Sequence, residues 1–241
     1  MRFKLISCEV LFREMCDAVA RSPHQVDVDF LSKGLHDRGG AAMAKELQQK
    51  IDATDGYDAV LLGYALCGNG LHGLRAGLIP VAAMRAHDCI ALLLGSRDRY
   101  TELVTEEPGT YFRSTGWLER GAGLEQLVMN STGLGISLDQ FIEKYGEDNG
   151  RYLYHEMTRY QANYSRLVYI ETGLEPDGRF QDEARREAAE RGWRFEAVKG
   201  GLEIFRRLVW GEWDNDDIVV AQPGERFAAR YDERIITSER I

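Results

Sequence analysis

Residues 41–64 read AAMAKELQQKIDATDGYDAVLLGY, and this stretch decides the fold class. Met43, Leu47 and Ile51 recur at helical spacing, which predicts a helix with one apolar face across 41–54. DAVLLGY (58–64) is a short apolar run and reads as a strand. A similar run, VDVDFL (26–31), precedes the helix. A strand, a crossover helix and another strand of this length imply parallel pairing.

Working outward, FKLIS (3–7) and IPVAAM (79–84) add two more strands. The last third repeats the alternation. RLVYIETG (166–173), WRFEAVKG and DDIVVAQPGE (216–225) read as strands, separated by the helices RFQDEARREAAERG, ended by Gly192, and GLEIFRRLVWGEW. The middle differs. Ser96 can cap a helix running through Tyr100 and Leu103, PGTYFRSTGW (108–117) reads as a loop, and SLDQFIEKYGED and the tyrosine-dense GRYLYHEMTRYQANY read as two amphipathic helices. The expectation is an α/β protein with mostly parallel sheets flanked by helices, readable as two Rossmann-like lobes with a helical insertion. Residues 1–95 form the first α/β region, 96–163 an insertion or lid, and 164–241 the second α/β region.

The composition narrows the function. The 241 residues are 44% hydrophobic and 29% charged, as expected of a globular chain with a sizeable core. A net charge of -9 argues against nucleic acid, whose partners present a basic face. No apolar run approaches the roughly 18–20 residues that cross a bilayer. Glu9, Arg13 and Glu14 also interrupt the apolar start before a leader core forms. These features predict a cytoplasmic protein that does not engage membranes. Four cysteines, at 8, 16, 67 and 89, do not resemble a disulfide framework, and in a reducing compartment such thiols serve as core residues, metal ligands or nucleophiles.

In open parallel sheets, ligands bind beyond the carboxyl ends of the strands. Three cysteines fall there: Cys8 closes FKLISC, Cys67 sits in LLGYALCGNGLHGL (61–74), and Cys89 ends RAHDC. Each stands just before or at the start of an expected helix or turn, whose positive end would lower a thiol's pKa. Cys8, Cys67 and Cys89 suit a tetrahedral zinc site with His87 as fourth ligand, or with His87 as a neighbouring hydrogen-bonding group or general acid. Two rival readings stand beside this one: three unconnected core thiols, and a catalytic Cys67 or Cys89 with His87 as base. Cys16 reads as packing.

Gly68, Asn69 and Gly70 allow close approach of a ligand and form either an anion nest or a tight turn. Arg97 and Arg99 could grip an anionic substrate or pair with surface carboxylates. Tyr111 and Trp117 read as a pocket wall or as core anchors, and His72 as a capping or packing group within a helix.

Four blocks, CEVLFRE, LGYALCGNGLHGL, RAHDCIALLLGSRDRY and PGTYFRSTGW, resemble the bacterial and archaeal family DUF1638 over about residues 3–220. The resemblance supplies no settled activity. Some members are encoded near corrinoid-dependent methyl-transfer systems, so it implies a methyl-transfer setting and a corrinoid or methyltransferase protein as partner. No DxHxxG-type corrinoid motif is present. The leading expectation is a metal-dependent, zinc-binding protein or enzyme that activates a small thiol substrate. The alternatives are a non-catalytic metal or corrinoid handler and a metal-free cysteine enzyme.

Overall fold

A computed structural model of the chain describes residues 1–120, 138–158 and 163–241. Strands β1 (Arg2–Cys8), β2 (Gln25–Leu31), β3 (Ala59–Gly63) and β4 (Val81–Met84) are parallel neighbours in the order β2-β1-β3-β4. The crossover helix spans Gly40–Asp52 and buries Met43, Leu47 and Ile51, as its spacing requires. All five residues of β3 are buried, because helices and loops cover both sheet faces. The edge strand β2 instead carries Asp27 and Asp29, paired with Arg2 and Lys4 of β1 at 2.8 Å each. Charges of this kind keep an open edge from recruiting another strand.

The second sheet consists of β5 (Thr110–Ser114), β6 (Arg166–Glu171) and β7 (Arg194–Lys199), all parallel. Two expectations are corrected here. PGTYFRSTGW is not a loop, because its centre is β5 and its end opens the helix Thr115–Arg120. Turn formers at both ends of the segment mask the strand, and the buried charge of Arg113 breaks its apolar pattern. That charge is balanced by a bidentate pair with Glu187 at 2.8 and 2.9 Å. DDIVVAQPGE does not extend the second sheet either. Its core, β8 (Ile218–Ala221), returns to the first sheet and pairs antiparallel with β4, covering that strand's open side. A hairpin of β9 (Glu225–Ala229) and β10 (Ile236–Arg240) follows.

The helices Leu138–Tyr145 and Glu147–Thr158 occupy the expected positions in the middle of the chain, while residues 121–137 of the proposed insertion and 159–162 of its tyrosine-rich helix lie outside the described residues. Side-chain alternation sorts the first sheet into two cores. Phe3, Leu5 and Leu61 face one side, and Ile6, Cys8, Val60 and Leu62 face the other. Val168, Ile170 and Val198 of the second sheet belong to the first of these cores, together with Leu92, Leu93 and Phe205. The two sheets therefore share one apolar interior. Among the described residues, no helix is long and apolar enough to cross a membrane.

Candidate functional site

From β1 the chain winds to β2 on one side, then crosses back over β1 to β3 on the other. The winding reverses between β1 and β3, and in open α/β sheets that gap is where ligands bind. Cys8 is the last residue of β1, and Cys67 follows four residues beyond β3. Backbone pairing continues past the strands, with Leu66 N–H donating to the Ala86 carbonyl at 3.0 Å and Cys67 N–H to the His87 carbonyl at 2.9 Å. This zipper draws the segment bearing Cys89 to Cys67. The three thiols are close enough to act on one another electrically: Cys8 raises the pKa of Cys67, and both raise that of Cys89.

Burial pushes the Cys8 thiol up to about 11 and the Cys67 thiol up to about 12, and holds Cys89 well above its ordinary range. The expected lowering by helix ends is thus overturned. Burial at Cys8 outweighs the lowering by the Val10 amide of the turn Glu9–Leu11, which leads into the helix Phe12–Ala20, and Cys67 enters turns rather than a helix. Cys89 does open the helix Cys89–Leu94, but Asp88 caps it. Its Oδ1 accepts from the amides of Ile90 at 3.0 Å and Ala91 at 3.1 Å. A carboxylate occupies the positive end of the helix beside the thiol. Desolvation and neighbouring negative charge therefore win.

The CGNG turn holds three successive left-handed residues, with φ of 43° at Cys67, 64° at Gly68 and 67° at Asn69. Such a conformation costs on the order of 1–3 kcal/mol at a non-glycine residue and persists only where the surroundings enforce it. The enforcing contacts come from the crossover helix. Gly40 lies against the Gly68 carbonyl and Gly70 against the Met43 side chain, each too close to admit a Cβ. The amides of Cys67 and Gly70 are engaged by backbone carbonyls rather than left to an anion. Gly68 and Asn69 are exposed at the tip of the turn.

Three further side chains close on the thiols. Lys33, only 3% exposed, follows β2 and acts on Cys8, and its ammonium lies 5.1 Å from the centre of the Trp117 ring. Trp117 comes from the helix after β5, and its indole favours the charged form of Cys89. Tyr64 is 1% exposed and is influenced by Cys8, Cys67 and Glu9, and its hydroxyl has no hydrogen-bond partner among the described residues. Lys33 and Tyr64 were not among the candidates read from the sequence. The rule of strand carboxyl ends, applied to β2 and to the residue beside Gly63, would have found both.

The remaining candidates disperse. His87 contributes its carbonyl to Cys67, while its imidazole is exposed and lines a separate cleft with Arg97 and Tyr100. Arg99 is tied to the Lys199 carbonyl at 2.6 Å and serves as a clamp onto β7. Tyr111 packs in the core of the second sheet, with ring centres 5.3 Å from Tyr164 and 5.7 Å from Trp193. His72 lies in a turn, not a helix, and its Nδ1 accepts from the Ala229 amide at 3.2 Å. Cys16 sits half-buried on the helix Phe12–Ala20. Among the described residues, no group of three or more His, Cys, Asp or Glu side chains is arranged to hold a metal ion.

Fold and site together define a mostly parallel α/β protein with three thiols near one another beyond the strand ends where its winding reverses. A family model described as protein of unknown function (DUF1638) matches residues 30–209, most of the chain, and the protein belongs to that family. Cys67 and Cys89 fall within the matched span and Cys8 precedes it. No curated protein and no solved structure matches the chain.

Proposed function

We propose that Cys8, Cys67 and Cys89 bind zinc and that the protein is a metal-dependent enzyme that activates a small thiol, holding its sulfur ionised as the nucleophile for a methyl-transfer reaction. The observation that carries this reading is the approach of three thiols beyond the carboxyl ends of β1, β3 and β4, near enough to influence one another's charge. Three thiolates leave one tetrahedral position open for a substrate. A thiol bound to zinc is ionised at neutral pH and so remains nucleophilic. The thiols do not form a ready shell, so binding requires them to turn toward one another about χ1, with loss of their protons. Lys33 supplies a buried positive charge beside Cys8, and Trp117 shields Cys89 from water. The methyl-transfer setting comes from the family resemblance, and the thiol chemistry from the donor set. A metal-free cysteine nucleophile is the weaker reading, because burial holds all three thiols protonated.

Elemental analysis of untagged protein from zinc-supplemented cells tests the proposal. The expected result is close to one zinc per chain, lost in Cys8→Ser, Cys67→Ser and Cys89→Ser but kept in Cys16→Ser. Zinc-free protein, or equal zinc in all four variants, overturns it.

A further inference from the structure

The helix Cys89–Leu94 carries a thiol at one end and meets a cavity at the other. Beyond its C-cap, Gly95, lies a cavity of about 140 Å³ that Arg85, Ser96, Arg97, Glu203, Arg207 and Asp217 help to line. Its carboxylates are already matched. Glu203 is held by Arg206 at 2.6 Å and Arg207 at 3.3 Å, and Asp217 pairs with Arg207. Neither Arg85 nor Arg97 forms a close ion pair among the described residues, and Asp216 and Asp217 act on Arg85 only at longer range. The two guanidinium groups donate instead to neutral carbonyls, Arg85 to Arg234 at 3.3 Å and Arg97 to Glu233 at 3.2 Å. The Arg85 Nε is buried with no partner among the described residues.

A third positive element opens on the same space. Ser96 caps the ten-residue helix Arg97–Glu106, accepting from the Arg99 amide at 3.2 Å, so the positive end of that helix dipole points here. Burial, and then Arg97, lowers the pKa of Arg85 from its ordinary value, while Asp216 and Asp217 oppose the shift. Two guanidinium groups and a helix N-terminus gathered in one cavity repel one another. In a chain of net charge -9, guanidinium groups left without a paired carboxylate stand out, and an anion in the cavity would relieve their mutual repulsion.

We infer that this cavity binds the phosphate group of a small phosphorylated molecule. Guanidinium groups grip phosphate bidentately, and a helix N-terminus adds amide donors and dipole. A neighbouring cleft of about 300 Å³ shares Ala91 and Arg97 with the cavity and is walled by His87, Asp98, Tyr100, Thr101 and Glu233, which gives the rest of the molecule a place to lie. Cys89 opens the same helix, roughly 9 Å from Gly95 along the axis at 1.5 Å per residue, and lines neither space. Tyr100 also donates its hydroxyl to Asp88 Oδ2 at 3.1 Å. The inference needs no metal at the thiols and stands or falls separately.

The test is titration of the full-length protein with inorganic phosphate, followed by calorimetry and thermal shift. Sodium chloride and sodium acetate at matched ionic strength serve as references. The expected result is saturable stabilisation by phosphate alone, weakened about tenfold or more in Arg85→Gln and in Arg97→Gln and unchanged in the surface control Arg21→Gln. Without phosphate, Arg85→Gln should melt no lower than the parent, since it relieves repulsion, and this separates lost binding from lost folding. Equal responses to phosphate and chloride overturn the inference. So does a preference for acetate, or unchanged affinity in both arginine variants.

Discussion

Gly116 rests on the carbonyl oxygen of Val10, so closely that a Cβ at that position would overlap it. This contact joins the helix after β5 to the turn after Cys8. Arg13 reinforces it by a bidentate pair with Glu119 at 2.9 Å, as does Arg120, 4.0 Å above the centre of the Phe12 ring. One residue beyond Gly116, Trp117 reaches the thiols.

Gly116→Ala must push the two elements apart, because the obstacle is backbone and cannot rotate away. Overpacking of this kind costs typically about 1–3 kcal/mol. Denaturant unfolding should show that loss, and zinc content should fall as Trp117 withdraws. A variant as stable and as metal-rich as the parent would show that the contact has slack.

Tyr64→Phe removes a buried hydroxyl that has no hydrogen-bond partner among the described residues. Leaving such a group unpaired costs roughly 1–3 kcal/mol, so the ligand-free variant should melt at or above the parent temperature. Thiol binding to the metal-loaded protein should weaken if the hydroxyl serves the ligand. Marked destabilisation of the ligand-free variant would mean that the hydroxyl is satisfied in solution.

Glu14 links the first helix to the second sheet, with Oε1 accepting from Thr172 Oγ1 at 3.0 Å. Burial raises its pKa, helped by Glu175 and opposed by the Thr172 bond and Arg13. A raised carboxyl pKa favours the protonated folded state. Its contribution is complete below the ordinary carboxyl range and disappears as pH rises through the folded value. Glu14→Gln should therefore melt above the parent at pH 8, with the gap closing toward pH 4. A gap that widens on acidification would contradict the sign.

Local chemistry was enough to read much of this molecule. The spacing of Met43, Leu47 and Ile51 specified the crossover helix and hence parallel strands, Ser96 and Gly192 marked helix ends, and three cysteines pointed to strand termini. These features depend on neighbours a few residues apart. The partner of β8, the strand inside PGTYFRSTGW, the approach of Lys33 to Cys8 and the protonation of the thiols could not be read that way. Strand pairing, dehydration and charge depend on which distant segments arrive at a given place. An isolated stretch of chain carries no record of that arrival, so the same helix-end position that should acidify Cys89 leaves it protonated once a dry core and the distant Cys67 surround it, with Asp88 adding to the effect from next door.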